Sequence, residues 1–317
     1  MTSILAIGNT SDYESYLKFI KQPNVIAAKY DMPLPEIKGR VKVIMFFPEW
    51  YWNKFIETPK YRGVYGNKKF YEKLKSYILS YKDKILKKYD AEFVVDPNKL
   101  FLDRDKEYIK KILSNGGVNV PKSFPKNFKK ILSSKKDLFI KVRYGAMGKG
   151  ITYITNGGIY TNFRFKNKII SRKSDTGWSF VKEGKQFLKA LLKQDIIVEE
   201  AVDSYLIEGR KFDLRFYISH GKILYVYPRS SEGIVTNITQ GGKGETQSYL
   251  KKIPKHLMKK AKTQALRAVK VYDVNFTSVD VLLSKNKAYV VELNVFPGFP
   301  RSKLFNLSKR LVKDIKR

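Results

Sequence analysis

The chain contains no cysteine and only two histidines among its 317 residues. The absence of cysteine excludes a disulfide framework, a thiolate metal site and a cysteine nucleophile, and it fits a cytoplasmic protein. The histidines, His220 and His256, are too far apart in sequence for a metal-ligand motif, and no Ser-His-Asp arrangement is suggested. Because His220 precedes Gly221, we interpret it as a turn residue.

Long apolar runs are also missing. No stretch approaches the roughly 18 apolar residues that a membrane-spanning helix needs, so we expect no insertion into a membrane. The first ten residues lack the basic segment of a signal peptide and are typical of a strand followed by a turn. Hydrophobic residues nevertheless make up 43% of the sequence, and 317 residues exceed one typical domain.

Acidic residues are scarce, with 29 Asp and Glu against 63 Lys and Arg and a net charge of +34. An AT-rich genome inflates lysine but would raise glutamate as well. We therefore interpret the excess as attraction to an acidic peptide, a nucleic acid or an anionic surface. Because the lysines are spread along the chain without a discrete basic tail, a nucleic-acid module is the less favoured reading. The composition does not indicate an oligomeric state.

The order of apolar runs predicts three regions. In residues 1–103, short apolar runs alternate with helix-like sequence, as in a small α/β domain with parallel strands. Residues 104–200 begin with a helical stretch and continue with β-prone sequence. Residues 201–317 contain a predicted helix from Pro254 to Val271 and a predicted strand pair, Phe276–Leu283 and Ala288–Val295.

Two predicted strands carry polar and charged side chains on one face. Lys211, Asp213 and Arg215 occupy alternate positions of one strand, and Glu292 and Asn294 do so in another. This period of two is typical of a half-buried strand. Rows of charge on core strands are costly unless a bound group pairs with them. A nucleoside triphosphate with magnesium is such a group.

Asp280, Glu292 and Asn294 form a predicted magnesium site, because magnesium prefers oxygen ligands and commonly uses one or two carboxylates. Glu292 and Asn294 lie two positions apart and share a face. If 285–287 is a three-residue hairpin loop, Asp280 lies directly opposite Glu292. A loop of two or four residues would shift the register and spoil the pairing.

A glycine-bearing loop follows the predicted strand that carries Lys141. Its glycines, Gly145, Gly148 and Gly150, are spaced by three and two, which matches neither the Walker pattern nor a dinucleotide fingerprint. Glycines allow backbone N–H groups to approach phosphate oxygens, and a nearby lysine supplies charge. The loop by itself is equally compatible with a plain hairpin turn.

Taken together, these segments resemble the ATP-grasp superfamily between about Asp103 and Pro300. The segment 206–215 is similar to tubulin tyrosine ligase-like enzymes. The segment 237–242 is similar to ligases that add glutamate to a ribosomal protein and to peptide-macrocyclising ligases. The resemblance implies an α/β (α+β) ATP-grasp fold. An N-terminal α/β domain, 1–103, would precede two lobes, 104–200 and 201–317, that sandwich ATP.

The resemblance also implies residue roles. Glu199 would offer its side chain to the exocyclic amine of adenine, and the backbone at Glu200 and Val202 would recognise the adenine edge. Arg215 would hold the γ-phosphate or the acyl phosphate. The implied nucleotide-binding residues are Lys106, Lys141, Gly145, Gly148, Glu199, Glu200, Val202, Lys211 and Asp213. The implied catalytic residues are Arg215, Lys141 and Asn237, with Arg229 as an additional candidate beside them. The implied ligands of two Mg²⁺ ions are Asp280, Glu292 and Asn294.

The expected activity is ATP-dependent ligation, in which a carboxylate is activated as an acyl phosphate and joined to an amine. The positive charge favours an acidic peptide as substrate. Two alternatives remain open: an ATP-grasp kinase of a polyphosphorylated small molecule, and a nucleic-acid-binding protein with a vestigial nucleotide site. The aromatic segments 48–52 and 61–66 are either a substrate platform or the core and rim of the N-terminal domain.

Overall fold

The computed structural model describes residues 3–9, 14–173 and 177–316. The strands are β1 (Ser3–Gly8), β2 (Val25–Lys29), β3 (Val41–Met45), β4 (Ala91–Phe93), β5 (Leu138–Val142), β6 (Ile151–Thr155), β7 (Gly158–Thr161), β8 (Phe163–Lys166), β9 (Ile169–Arg172), β10 (Ser179–Phe180), β11 (Ile196–Glu200), β12 (Lys211–Ser219), β13 (Lys222–Ser231), β14 (Lys243–Gly244), β15 (Phe276–Leu283) and β16 (Ala288–Asn294). The α-helices are α1 (Glu14–Ile20), α2 (Glu49–Tyr51), α3 (Lys68–Lys88), α4 (Lys106–Asn115), α5 (Phe128–Leu132), α6 (Gly184–Leu191), α7 (Lys255–Tyr272) and α8 (Leu307–Ile315).

The N-terminal sheet is parallel, in the order β2-β1-β3-β4. The parallel strands predicted for this region are therefore present, although β3 ends at Met45. The apolar run Ile4–Ile7 is completely buried, as expected for a central strand covered on both faces. Tyr16 and Phe19 of α1 are also fully buried, and α3 contributes Leu74 and Ile78 to the same core.

The central lobe is an antiparallel sheet in the order β10-β7-β6-β5-β11, with the hairpin β8–β9 beside it. It has a hydrophobic core of its own, which α6 completes with Phe187, Leu188 and Leu191. Their spacing places all three side chains on one face of the helix. Val64 and Tyr65, from the N-terminal region, also belong to this core.

The C-terminal lobe is an antiparallel sheet in the order β14-β13-β12-β15-β16. Helix α7 contacts β15 and β16, and its Ala261, Ala265 and Ala268 are completely buried. The alternation of β12 predicts a half-buried strand with one exposed polar face. Asp213 on that face is nevertheless only 3% exposed. Arg229 and Thr236 contact Asp213, whereas Lys211 and Arg215 on the same face are half-buried.

The N-terminal and C-terminal sheets share one continuous hydrophobic core, whereas the central lobe has a separate one. Helix α4 belongs to the shared core through Ile109 and Leu113. The predicted turn is present at His220, which has a left-handed backbone with φ of 45°. Among the described helices, none combines the length and the apolar character needed to cross a bilayer.

Candidate active site

A cleft with a volume of about 730 Å³ lies between the central and C-terminal lobes. Most of the site residues expected from the sequence line it. They are Lys106, Lys141, Gly148, Glu199, Glu200, Val202, Lys211, Asp213, Asn237, Asp280 and Glu292. Three others do not belong to the lining: Gly145, Arg215 and Asn294. Residues as far apart in sequence as Lys106 and Glu292 therefore converge on one crevice.

The C-terminal wall of the cleft is built around Arg229. This arginine is only 4% exposed. Its Nε donates to Asp213 Oδ1 at 2.7 Å and its Nη2 lies 2.8 Å from Asp280 Oδ2. Thr236 Oγ1 donates to Asp213 Oδ2 at 2.7 Å. The sequence names Arg229 only as an additional candidate, yet it is the central cation of this wall, because β13 pairs with β12 so that Arg229 stands opposite Asp213.

Arg215 forms a bidentate pair with Asp280, through Nε to Oδ1 and Nη2 to Oδ2, both at 2.7 Å. Its guanidinium group is thus engaged within the wall. Burial raises the pKa of Asp280, whereas the guanidinium groups of Arg215 and Arg229 lower it. The net result is a pKa of about 2. Asp280 is therefore ionised at neutral pH, as a metal ligand must be.

The predicted pairing of Asp280 with Glu292 is confirmed, because the two residues are direct partners in the β15–β16 ladder. The reason given for it is wrong. Leu283 pairs with Ala288, so four residues separate the strands, the loop length expected to spoil the register. A β-bulge between Asp280 and Val281 shifts the ladder back by one residue. Bulges of this kind re-aim side chains next to functional sites.

The residues predicted to bind magnesium offer the oxygen atoms that this ion prefers. Asp280 and Glu292 are direct partners on adjacent strands. Asp280 Oδ1 accepts one hydrogen bond, from Arg215, and keeps a lone pair, whereas Oδ2 contacts both Arg215 and Arg229. Asn294 would contribute its amide oxygen, because the Nδ2 atom is a hydrogen-bond donor. That Nδ2 atom is buried and lacks a hydrogen-bond partner within the described ranges. Lys106 Nζ lies 4.0 Å from Glu292 Oε1. Burial lowers the pKa of Lys106, and Glu292 acts in the opposite direction.

The central-lobe wall is built around Glu199, which is 5% exposed. Its Oε2 accepts from Lys141 at 2.6 Å and its Oε1 accepts from Lys110 at 2.8 Å. Burial raises the pKa of Glu199, whereas the two lysines lower it, and the net shift of the pKa is downward. Burial lowers the pKa of Lys110, and the neighbouring Glu199 partly offsets this shift. The sequence offers one signal for Lys110, its position one helical turn after Lys106.

The two residues predicted to recognise the adenine edge lie at the end of β11 and just after it. The Glu200 N–H group donates to the Lys122 carbonyl at 2.9 Å. The Glu200 N–H group is thus occupied, which leaves the carbonyl oxygen as the backbone group for the predicted adenine contact. Glu200 Oε2 lies 2.5 Å from Lys136 Nζ, in an ion pair at the surface. Val202 and Glu200 both line the cleft.

The glycine-bearing loop contacts the loop that contains Asn237. Gly148 has a φ of +65°, and a β-carbon added there would lie 3.2 Å from Asn237. Thr239 Oγ1 donates to the Met147 carbonyl at 2.8 Å. Gly145, which does not line the cleft, instead receives a hydrogen bond from Lys106 Nζ at its carbonyl. Two loops that are separate in sequence thus close one end of the cleft.

A family model described as YheC/D-like ATP-grasp matches residues 119–313, which is more than half of the chain. The chain belongs to this ATP-grasp family. The matched segment contains every predicted site residue except Lys106. The ATP-grasp fold expected from the sequence is therefore confirmed.

Curated relatives match a shorter stretch. A probable alpha-L-glutamate ligase of Stutzerimonas stutzeri (strain A1501) is 32% identical over 109 residues, which cover 34% of this chain and 32% of the relative. A protein of the same description from Vibrio atlanticus (strain LGP32) is 30% identical over 126 residues, or 39% and 36% of the two chains. The chain thus spans about a third of the length of the relatives that it matches.

Solved structures match over the whole length. Macrocyclase MdnC bound with precursor peptide MdnA from Microcystis aeruginosa has a TM-score of 0.58 at 13% identity, covering 99% of both chains. D-alanine–D-alanine ligase from Bacillus anthracis has a TM-score of 0.56 at 14% identity, covering 100% of this ATP-grasp chain and 96% of the ligase. At these identities the likeness shows the shared fold alone.

Proposed function

We propose that this ATP-grasp protein is an ADP-forming ligase that activates a carboxylate as an acyl phosphate and joins it to an amine, with an acidic peptide as its substrate. The observation that carries the proposal is the convergence of Lys141, Asp280 and Glu292 on one interlobe cleft. A vestigial nucleotide site would not be expected to keep a buried, ionised carboxylate beside a second one.

The nucleotide would lie with its adenine edge at the Glu200 carbonyl and Val202. Lys106, Lys141 and Lys211 would face the phosphates, where their charges offset the triphosphate. Lys141 Nζ donates to Glu199 Oε2 at 2.6 Å, so the ammonium group is positioned before the nucleotide binds. Such preorganisation lowers the reorganisation that the reaction requires.

Asp280, Glu292 and Asn294 would hold magnesium, which when bound neutralises phosphate charge and orients the triphosphate. The substrate carboxylate oxygen attacks the γ-phosphorus, and ADP leaves. The amine nitrogen then attacks the acyl carbon, phosphate leaves, and the nitrogen releases a proton. No covalent intermediate on a protein side chain is needed.

Arg215 has a modified role in this proposal. Its guanidinium is bidentate to Asp280, so it fixes the orientation of a metal ligand. Contact with the γ-phosphate would require the pair to open. Arg229, fixed by Asp213, holds the same carboxylate from the other side. Asn237, in contact with the glycine-bearing loop, would border the acyl phosphate.

The net charge of +34 supports an acidic substrate. Fold neighbours that were solved with a precursor peptide or with a leader and core peptide support a peptide. Relatives named as glutamate ligases favour an amino acid as the amine. A positive field raises the local concentration of an acidic partner and its association rate.

The test is incubation of the purified chain with ATP, magnesium, a glutamate-rich peptide and mixed amino acids, followed by mass spectrometry and ADP measurement. We expect ADP release that requires both carboxylate and amine, with a product mass equal to the sum of both minus water. A stable phosphorylated product would instead identify a kinase. Salt-sensitive oligonucleotide binding without ATP turnover would identify a nucleic-acid-binding protein. Glu292→Gln serves as the inactive control.

A further inference from the structure

Arg104 differs from the other arginines that are buried or half-buried. In the described ranges there are five such arginines. Four of them, Arg143, Arg172, Arg215 and Arg229, pair with at least one carboxylate. No carboxylate of the described residues pairs with the guanidinium of Arg104. Its positive charge acts on the neighbouring Asp103 carboxylate, but the two groups form no ion pair. A guanidinium group stays charged and carries five N–H donors, which are therefore available to an acceptor on another molecule.

Two aromatic rings hold this guanidinium in place. The central carbon of Arg104 lies 4.6 Å from the ring centroid of Phe47 and 5.4 Å from that of Trp52. The indole of Trp52 is itself fixed, because its Nε1 donates to Glu57 Oε2 at 3.2 Å. Stacking on ring faces restrains the guanidinium group but leaves its in-plane N–H donors for another partner.

The backbone around Arg104 is fixed on both sides. Asp103 Oδ2 accepts from the Val295 N–H group at 3.0 Å, which ties this segment to the residue after Asn294. Asp105 forms a bidentate pair with Arg143, with both contacts at 2.7 Å. Arg104 is therefore presented rigidly, and rigid donors lose little conformational entropy when they bind.

The position of Arg104 is next to the magnesium-ligand strand but outside the nucleotide cleft. Lys106, two residues later, lies 4.0 Å from Glu292 and lines the cleft, whereas Arg104 does not. Phe47 packs edge-on against Phe296 with centroids 5.6 Å apart. Arg104 thus stands where the N-terminal region meets the end of β16.

We infer that Arg104, restrained by Phe47 and Trp52, is a carboxylate-binding residue for the acidic peptide substrate. This inference rests on the proposed function. A planar guanidinium donates two parallel hydrogen bonds to a carboxylate, which is the geometry that a lysine cannot reproduce. The aromatic segment 48–52 then acts as the support of a substrate-binding cation.

The test is fluorescence anisotropy of a labelled decaglutamate peptide titrated with the full chain. Arg104→Ala is compared with Lys54→Ala, which removes the same charge from another aromatic-stacked cation, 5.0 Å from the Trp50 ring centroid. We expect Arg104→Ala to raise the Kd for decaglutamate about tenfold, as for the loss of a charged hydrogen-bonded pair. Lys54→Ala should change it less than about twofold, and the Kd for ATP should be unchanged in both.

Equal weakening by the two substitutions would overturn the inference, and so would an equal loss of affinity for oligothymidylate, because Arg104 would then act as a general polyanion contact. If Arg104→Ala does not fold, Arg104→Lys decides: an unchanged Kd overturns the inference, and a loss of about fivefold supports it. Arg104-dependent binding in a chain that forms no amide would refute the proposed function alone. Amide formation with no dependence of peptide binding on Arg104 would refute this inference alone.

Discussion

The two walls of the cleft both contain buried carboxylates, but they pair these carboxylates with different cations. On the central lobe, two lysines share one buried carboxylate, Glu199. On the C-terminal lobe, two arginines and two aspartates form a closed network in which Arg229 contacts both acids. A lysine is a mobile point charge, whereas a bidentate arginine has a fixed direction. In the proposed reaction, the lysine wall would adapt to the nucleotide and the arginine wall would keep the predicted metal ligands in place.

The largest effect is expected from breaking the arginine wall. Asp280→Asn leaves Arg215 and Arg229 short of a buried counter-charge, and such a loss costs about 3–5 kcal/mol of unfolding free energy. Chemical denaturation measures it. Asp273→Asn is the matched control, because Asp273 makes an exposed ion pair with Lys99, and the loss of such a pair should change the unfolding free energy little. Similar losses in both variants would contradict the comparison.

A second substitution separates activity from stability on the same wall. The side chain of Glu292 is 30% exposed, and Lys106 is its partner at 4.0 Å. Glu292→Gln should therefore lower ATP turnover by about 100-fold, as when one preorganised charge-stabilising group is removed, and leave the unfolding free energy within about 1 kcal/mol. Glu208→Gln, at an exposed surface pair with Lys252, is the control for both readouts. Full turnover in Glu292→Gln would refute the magnesium assignment.

The lysine wall predicts a graded pair of effects. Lys141 lines the large cleft and Lys110 does not, although both bond Glu199. Lys141→Met should weaken ATP binding by about tenfold or more, which corresponds to one lost charged hydrogen bond. Lys110→Met should weaken it by about threefold, because Glu199 still holds Lys141. Calorimetric ATP titration measures both. Weaker binding in Lys110→Met than in Lys141→Met would reverse the assigned roles.

The smallest effect concerns a carboxylate between the two walls. Burial raises the pKa of Asp103 from 3.8 to about 6, and Arg104 partly opposes this. Between those values the folded state holds more protons than the unfolded chain, so this group makes the unfolding free energy fall as pH rises through the window. Asp103→Asn should remove that part of the slope, as thermal melts from pH 4 to pH 6 would measure. Parallel profiles would show that Asp103 titrates normally.

Much of the site could be predicted because each motif is local. One such motif is Lys141 on a strand that is followed by glycines. Another is Glu292 two positions before Asn294, a spacing that places both side chains on one face of a strand. The central role of Arg229 and the presence of Lys110 could not be predicted. Arg229 acts through its strand partner Asp213, and Lys110 reaches Glu199 across 89 positions of sequence. No local period encodes either contact.

The β15–β16 hairpin shows how a correct prediction can have a wrong cause. Loop length sets the register of a regular hairpin, and the four residues between Leu283 and Ala288 would place Asp280 and Glu292 out of step. The bulge beside Asp280 restores the pairing. A bulge is a small local change stabilised by the surrounding packing, and the alternation of residues does not announce it.

The amino-acid sequence by itself, through its resemblance to a known family, determined the ATP-grasp fold and most of the predicted site residues that line the cleft. The resemblance rests on motifs in a fixed order, and the strand period of two indicated which charged residues share a face. Only the tertiary structure decided which charge pairs with which, that Arg215 is engaged by Asp280, and that Arg104 is held by rings from the N-terminal domain. The physical reason is that ion pairs and ring contacts depend on distances of a few ångströms between side chains, and those distances exist only after distant strands and helices have packed together.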